Sequence, residues 1–172
     1  MSAQNSNSEQ SQALKKITYG YYIVTTRKRS EEMSTREQDF VAAGTISWVS
    51  QASFDPSLIT VAVKKNSDLH ETIEKSRIFA VNIVGKDGGE MLKPFAKDTQ
   101  VEGNKLNGFG FKDGETGAPV LDDVPAYLEC KVREDITIGD HSIFVAEVVG
   151  GGVRDASAEP LTEWEADLHY GG

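Results

Sequence analysis

The run Lys64-Lys65-Asn66-Ser67-Asp68-Leu69-His70 brings more polar chemistry together than any other stretch of the chain. A strand pattern ends in two lysines, and Ser67 then has the side chain of a helix N-cap, with Asp68 suited to the positive end of the helix dipole. Two ammonium groups, a hydroxyl and the open N–H groups of a helix start make an anion site. The same residues equally describe an ordinary strand–turn–helix with solvated lysines. A second group is Gly44-Thr45-Ile46-Ser47-Trp48-Val49-Ser50-Gln51, in which small and hydroxyl residues interleave with Trp48. Its backbone could offer N–H and C=O groups to a flat ligand, or it is a barrel strand with one polar face. A third is Gly139-Asp140-His141-Ser142, where His141 stands beside a tight turn and faces either a cleft or solvent.

Several chemistries are excluded. The chain has no GxxxxGK[ST] phosphate loop, and its nearest approach to a dinucleotide fingerprint, Gly108-Phe109-Gly110, runs on into Phe111-Lys112-Asp113 without a third glycine. A GxSxG nucleophile elbow is also missing. Cys130, the single cysteine, alternates with Leu128 in a strand pattern and reads as a buried apolar thiol rather than a nucleophile. One cysteine forms no internal disulfide, which suits a reducing compartment, and a cytoplasmic location is expected. His70, His141 and His169 lie far apart in no metal-ligand spacing, so no metal site is expected. Eighteen basic against 27 acidic residues give a net charge of −9, which argues against nucleic acid or anionic membrane as a partner. No apolar run reaches the roughly 18 residues of a membrane span. The polar N-terminus is unlike a secretory signal peptide.

These groups need a scaffold, and 172 residues fit one domain of roughly 100–200 residues. Residues 1–12 are nearly devoid of apolar side chains and read as a disordered tail. A short helix is expected over 13–17, ended by Gly20, and strands over 19–26, 58–64, 78–84, 127–135 and 142–149. Residues 40–50 form another apolar segment, after a charged, aperiodic loop at 28–39. Within 58–64, Ile59, Val61 and Val63 share one face. Helices are expected at 67–76, with Leu69 and Ile73 as the apolar pair, and at 90–96, with Met91, Leu92 and Phe95 inward. Residues 99–117 read as irregular, the glycines at 150–152 as a bend or bulge, and 161–164 as a last short strand. Turn-bounded strands with only short helices between them point to an antiparallel barrel or sandwich, not a doubly wound sheet.

The ordered set of segments resembles the flavin reductase-like, FMN-binding split-barrel proteins. The matching wording is KITYGYYIVTT at 16–26, GTISWVSQASFDP at 44–56, LITVAVKKNSDLHETIEKSRIFAVNIV at 58–84, GAPVLDDVPAYLECKV at 117–132 and GDHSIFVAEV at 139–148, with Tyr170-Gly171-Gly172 as a terminal tyrosine segment. The resemblance implies a mainly β fold, a six-stranded antiparallel Greek-key split barrel with a few short helices over 13–172. It also implies a homodimer with one FMN per subunit. Thr45, Ile46, Ser47, Trp48 and Val49 would lie against the isoalloxazine. Val63, Lys64, Lys65 and Ser67 would contact the flavin and its phosphate tail, with Lys93, or Lys97 in its place, as a further phosphate contact. His141 would line the nicotinamide side as the catalytic residue, and Tyr170 would close the pocket.

The implied activity is an NAD(P)H:flavin oxidoreductase, in which hydride passes from nicotinamide to flavin N5 and backbone N–H groups with Lys64 or Lys65 stabilise the negative charge that grows on the flavin. Two rivals stand beside it. One is an FMN electron-transfer protein serving a rubredoxin-like or diiron protein partner. The other is a non-enzymatic barrel that has lost flavin. Departures from the family pattern fall at Ala42-Ala43, where Asn-Gly is usual, at Ser57, where a second proline is usual, and in the long loop at 27–39.

Overall fold

The structure, a computed structural model, describes residues 8–29 and 40–171. Alternation sets its backbone. In Leu58–Lys64 the side chains of Ile59, Val61 and Val63 are buried and their neighbours less so, as the sequence predicts. Tyr22–Lys28 differs, with four consecutive buried residues, because both of its faces are covered. Val24 joins the inner core while Ile23 joins an outer one.

Eleven strands are described: β1 Tyr22–Lys28, β2 Phe40–Ile46, β3 Val49–Ser53, β4 Leu58–Lys64, β5 Ile78–Ile83, β6 Val101–Glu102, β7 Lys105–Leu106, β8 Phe109–Asp113, β9 Pro119–Leu121, β10 Ala126–Ile136 and β11 His141–Val153. Seven of them form one antiparallel sheet in the order β2-β1-β5-β10-β11-β4-β3. β2 and β3 are its opposite edges, yet only Ser47 and Trp48 separate them in sequence. So short a link requires the two edges to curl together, and the sheet is therefore rolled into a barrel with a seam at residues 47–48. The inner core draws Ala42, Val61, Phe79, Cys130 and Phe144 from across the sheet. Helix α2, Asp68–Ser76, adds Leu69 and Ile73 to it. Ser67 caps α2 as expected, its hydroxyl accepting from the His70 N–H.

Several expectations are corrected. The main sheet has seven strands, not six, because the apolar run at 40–50 breaks at Ser47-Trp48 and supplies both edges. Residues 99–117 are not irregular. They form most of a second, four-stranded sheet, β6-β7-β8-β9, whose turns use positive φ at Gly103, Asn107 and Gly108. Strands of two residues are too short to show an alternation. This small sheet, with a 3-10 helix over Lys86–Met91 and helix α3, Leu92–Phe95, covers the outer face of the barrel around Tyr21, Ile23 and Val84. The first helix, α1, is Glu9–Leu14 rather than 13–17, since Ser8 caps it and Glu9 favours its first turn. Residues 9–12 are thus helical, and 1–7 lie outside the described residues. Residues 161–164 do not make a strand. Bridges at Pro160 and Thr162 lead into helix α4, Glu163–Ala166, where the Glu165 carboxylate accepts from the Thr162 N–H.

Two departures from the family pattern leave the local backbone regular. Ala42 and Ala43 sit in mid-strand with both side chains buried, so no hairpin is disturbed. Ser57 lies in the β3–β4 turn, where its carbonyl accepts from the Val148 N–H. In the charged loop at 28–39, Lys28 ends β1, and residues 30–39 lie outside the described residues. The glycines at 150–152 accompany a register shift opposite Glu129 and Cys130, a bulge as expected.

Cys130 is fully buried, and burial above all pushes its thiol from an ordinary 9.0 up to about 12. The unfolded chain therefore loses this proton first. The stabilisation is complete below about pH 9 and is lost as pH rises toward 12. The thermal midpoint is expected to fall across that window, and less steeply in Cys130→Ala. Equal slopes would contradict the assignment.

Candidate functional site

A cavity of about 650 Å³ opens along the barrel seam. The end of β2 and the seam link form one wall, the end of β4 and the start of α2 another, and α3 with the residues after it a third. Val63, Leu69, Leu92 and Phe95 make its floor apolar, while Lys64, Lys93 and Lys97 bring cationic side chains to it. Thr45 is held in place by donating to the Leu92 carbonyl at 2.7 Å, which ties β2 to α3. Thr99 does the same nearby, accepting from the Ala43 N–H at 3.0 Å.

The sequence-predicted residues mostly converge here. Thr45, Ile46, Ser47, Trp48, Val63, Lys64, Ser67, Lys93, His141 and Tyr170 all line the cavity, and so does Lys97. Val49 and Lys65 do not. Val49 begins β3 opposite Val61 and packs against the inner core. The next residue after β4, Lys65, turns the other way. Its N–H donates to the Asp140 carbonyl and its ammonium lies 3.4 Å from the Thr137 carbonyl. Ser67 has little capacity left for a ligand, since its hydroxyl donates to the Lys64 carbonyl at 2.8 Å while capping α2. His70 is buried toward the barrel, 2.6 Å from the Ser142 hydroxyl and with its ring tilted against that of Phe144. It takes no part in the cavity.

His141 stands at the first position of β11, paired with Lys64 across the ladder. Its Nδ1 lies 2.8 Å from the Asp140 carboxylate and its Nε2 lies 2.8 Å from the Tyr170 hydroxyl. The hydrogen bond from His141 holds the Asp140 carboxyl below the usual range. Burial, assisted by the negative charge of Asp140, pushes the Tyr170 phenol up. Trp48 packs against both rings, with ring centroids 4.8 Å from His141 and 5.2 Å from Tyr170.

The sequence reading missed the device that brings Tyr170 here. Glu163, only 5 % exposed, accepts from the Tyr170 N–H and lies 3.1 Å from His169 Nδ1. Tyr21 donates to the Leu168 carbonyl at 2.5 Å, and burial with the charge of Glu163 pushes its phenol up to about 12. The capping-box spacing of Thr162 and Glu165 was the available signal for α4, and with it for the turn that aims the chain back at the cavity.

Two polar atoms stand unpartnered among the described residues at this wall, Ser47 Oγ and Trp48 Nε1, both shut off from solvent. Buried donors without partners are costly unless a ligand engages them. An apolar slot of this volume with a few convergent polar groups and lysines fits a planar ring system carrying an anionic tail.

The comparisons agree with that geometry. The family model described as "Flavin reductase like domain" matches residues 14–172. The chain belongs to this family. Diflavin flavoprotein A 1 of a Synechocystis species is 33 % identical to the flavin reductase-like domain over 157 residues, which are 91 % of this chain and 26 % of that protein. The domain thus spans about a quarter of the diflavin flavoproteins it matches. A ferric-chelate reductase (NAD(P)H) of Archaeoglobus fulgidus is 32 % identical, over 92 % of this chain and 88 % of that one. Among solved structures, the flavin reductase HpaC complexed with NADP+ superposes with a TM-score of 0.71 at 25 % identity, covering 94 % of each chain. The styrene monooxygenase flavin reductase of Pseudomonas putida S12 gives 0.70 at 21 % identity over 91 % of this chain and 92 % of that one, a likeness of fold. The domain is therefore mainly β and antiparallel, of the flavin reductase type. Among the described residues no helix is long and apolar enough to cross a membrane, and no cluster of side chains has the makings of a metal site.

Proposed function

We propose that this chain is an NAD(P)H:flavin oxidoreductase that holds FMN in the seam cavity. The observation that carries this reading is one cavity lined together by Ser47, Trp48, Lys64, Lys93 and His141, with Ser47 Oγ and Trp48 Nε1 unpartnered in its wall. Bound flavin would supply the redox chemistry by accepting hydride from nicotinamide. Residues of the chain do the rest. The seam backbone at 45–48 and the apolar floor hold a flat ring. Lys64 and Lys93, with Lys97 in reserve, offset the charge of the phosphate tail. His141, oriented by Asp140 and bonded through Nε2 to the Tyr170 hydroxyl, stands at the cavity wall, where it would line the nicotinamide side. The homodimer and the cytoplasmic location belong to the same proposal.

An absorbance spectrum before and after anaerobic NADH tests it. Flavin bands at about 375 and 450 nm, the second bleaching within seconds, are expected of a holoprotein whose flavin accepts hydride. A protein that stays colourless after incubation with FMN would falsify the reading. His141→Ala is expected to keep FMN bound while NADH turnover falls about 10-fold, the usual scale for losing an orienting hydrogen bond and its packing. Unchanged turnover would remove His141 from its role.

A second reading has its own support. Identity to diflavin flavoproteins, each far longer than this chain, suits a flavin module that exchanges electrons with another redox protein or domain. A yellow protein that NADH does not bleach, but a rubredoxin-like or diiron partner does, would favour it.

A further inference from the structure

One buried polar cluster does not line the cavity, yet its members are chain neighbours of residues that do. His70, 5 % exposed, follows Leu69 in α2, and Ser142, wholly buried, follows His141 in β11. His70 Nε2 lies 2.6 Å from Ser142 Oγ, which lies 3.1 Å from Thr137 Oγ1. On its other side His70 Nδ1 faces the Glu74 carboxylate at 3.6 Å, one turn on in α2. A carboxylate there favours a proton on Nδ1, so Nε2 is a lone pair that accepts from the Ser142 hydroxyl. Ser142 Oγ in turn accepts from Thr137. The imidazole is packed as well as bonded, with its ring centroid 5.4 Å from that of Phe144.

These bonds belong to a closed circuit. The His70 N–H donates to Ser67 Oγ at 3.2 Å, and the Ser67 hydroxyl donates to the Lys64 carbonyl at 2.8 Å. Lys64 pairs across the ladder with His141, the neighbour of Ser142. The end of β4, the first turn of α2 and the start of β11 are thereby joined. Lys64, Ser67, Leu69 and His141 all line the cavity from this circuit. Leu69 has little slack on its other side, since a Cβ added to Gly44 of β2 would come within 3.1 Å of its Cδ2. The first turn of α2 is therefore set between β2 and β11, and a shift at His70 moves Leu69 in the cavity floor. A buried polar network whose members are all paired is rigid and selects one arrangement.

We propose that His70 is a positioning residue for the flavin cavity. Its bond to Ser142 fixes the first turn of α2 against β11, and that spacing fixes where Leu69 and Lys64 stand in the cavity. His70 touches no ligand itself. This role rests on the flavin reading of the cavity and adds a buried residue outside it on which the slot depends.

The test is fluorescence titration with riboflavin and with FMN, beside thermal melting followed by circular dichroism. His70→Leu keeps bulk against Phe144 and removes the bond, and is expected to weaken both flavins about 5- to 10-fold, the scale of one hydrogen bond. His70→Gln puts an amide near the place of Nε2 and is expected to bind both within about 2-fold of the unaltered protein. Ser142→Ala removes the same bond from its other end. It is expected to lose as much as His70→Leu, and the two changes together no more than either alone. Should His70→Leu fail to fold, Ser142→Ala and His70→Gln carry the comparison. A lower melting midpoint with unchanged flavin affinity means a role in stability alone and overturns the positioning role. So do a His70→Gln protein that binds as weakly as Ser142→Ala, and additive losses in the double variant. An unaltered protein that binds neither flavin overturns the flavin reading itself, and the positioning role with it.

Discussion

Replacing both Lys64 and Lys93 by alanine is expected to weaken FMN binding about 10- to 100-fold while leaving riboflavin binding nearly unchanged. The two side chains reach one cavity from different elements, Lys64 from the end of β4 and Lys93 from α3. A charge-assisted contact to phosphate contributes about 1.5–3 kcal/mol, less where water competes, as it does at a cavity mouth. Riboflavin has the same ring without the phosphate, so it separates loss of charge from collapse of the slot. Fluorescence titration with both flavins at two salt concentrations reads the effect. The unaltered protein should lose FMN affinity as salt rises, and the double variant should lose less. Equal weakening for both flavins would mean that the lysines shape the cavity rather than hold the phosphate. A response from Lys97→Ala alone would transfer the role to that neighbour.

Asn82→Ala is expected to cost about 3 kcal/mol of stability, by leaving several buried polar groups without partners. Asn82 is wholly buried in β5. Its Nδ2 donates to the Ile23 carbonyl at 3.0 Å and to Thr25 Oγ1 at 3.1 Å, and its Oδ1 accepts from the Leu121 N–H at 2.8 Å. Thr25 in turn donates to the Pro119 carbonyl at 2.5 Å. One amide thus ties the barrel strands β1 and β5 to β9 of the small sheet, which stands over the outer core beside α3. Urea unfolding followed by circular dichroism measures the loss as a shift in midpoint at constant slope. A loss below about 1 kcal/mol would show that water replaces the amide without penalty.

Both predictions depend on residues whose visibility in the sequence differed sharply. Lys64 stood out because a strand pattern ended in two lysines before a serine cap, a purely local signal. The reading could not separate Lys64 from Lys65. Alternation sends neighbouring side chains to opposite sides, but which side becomes a cavity depends on what packs there, and here Asp140 and Thr137 claim Lys65. Asn82 gave no signal at all. A polar residue inside IFAVNI breaks the pattern, and only the arrival of Leu121 and Ile23 beside it explains why it is tolerated. The same holds for Glu163, a buried carboxylate whose partners His169 and Tyr170 lie beyond the helix it begins.

The strands β1, β4, β5, β10 and β11, the faces of β4, the cap of α2 and the apolar side of α3 were legible because they depend on side-chain periodicity and on contacts a few residues apart. The split of residues 40–53 into two opposite sheet edges was not, for nothing in Ser47-Trp48 says that the edges of a seven-stranded sheet will meet there. That closure places the unpartnered Ser47 and Trp48 beside Lys64 and His141, and it brings the far end of the chain onto them. Short-range chemistry writes itself into spacing. A cavity is enclosed by groups distant in sequence, and its polarity is settled by which of them find partners when the sheet rolls shut.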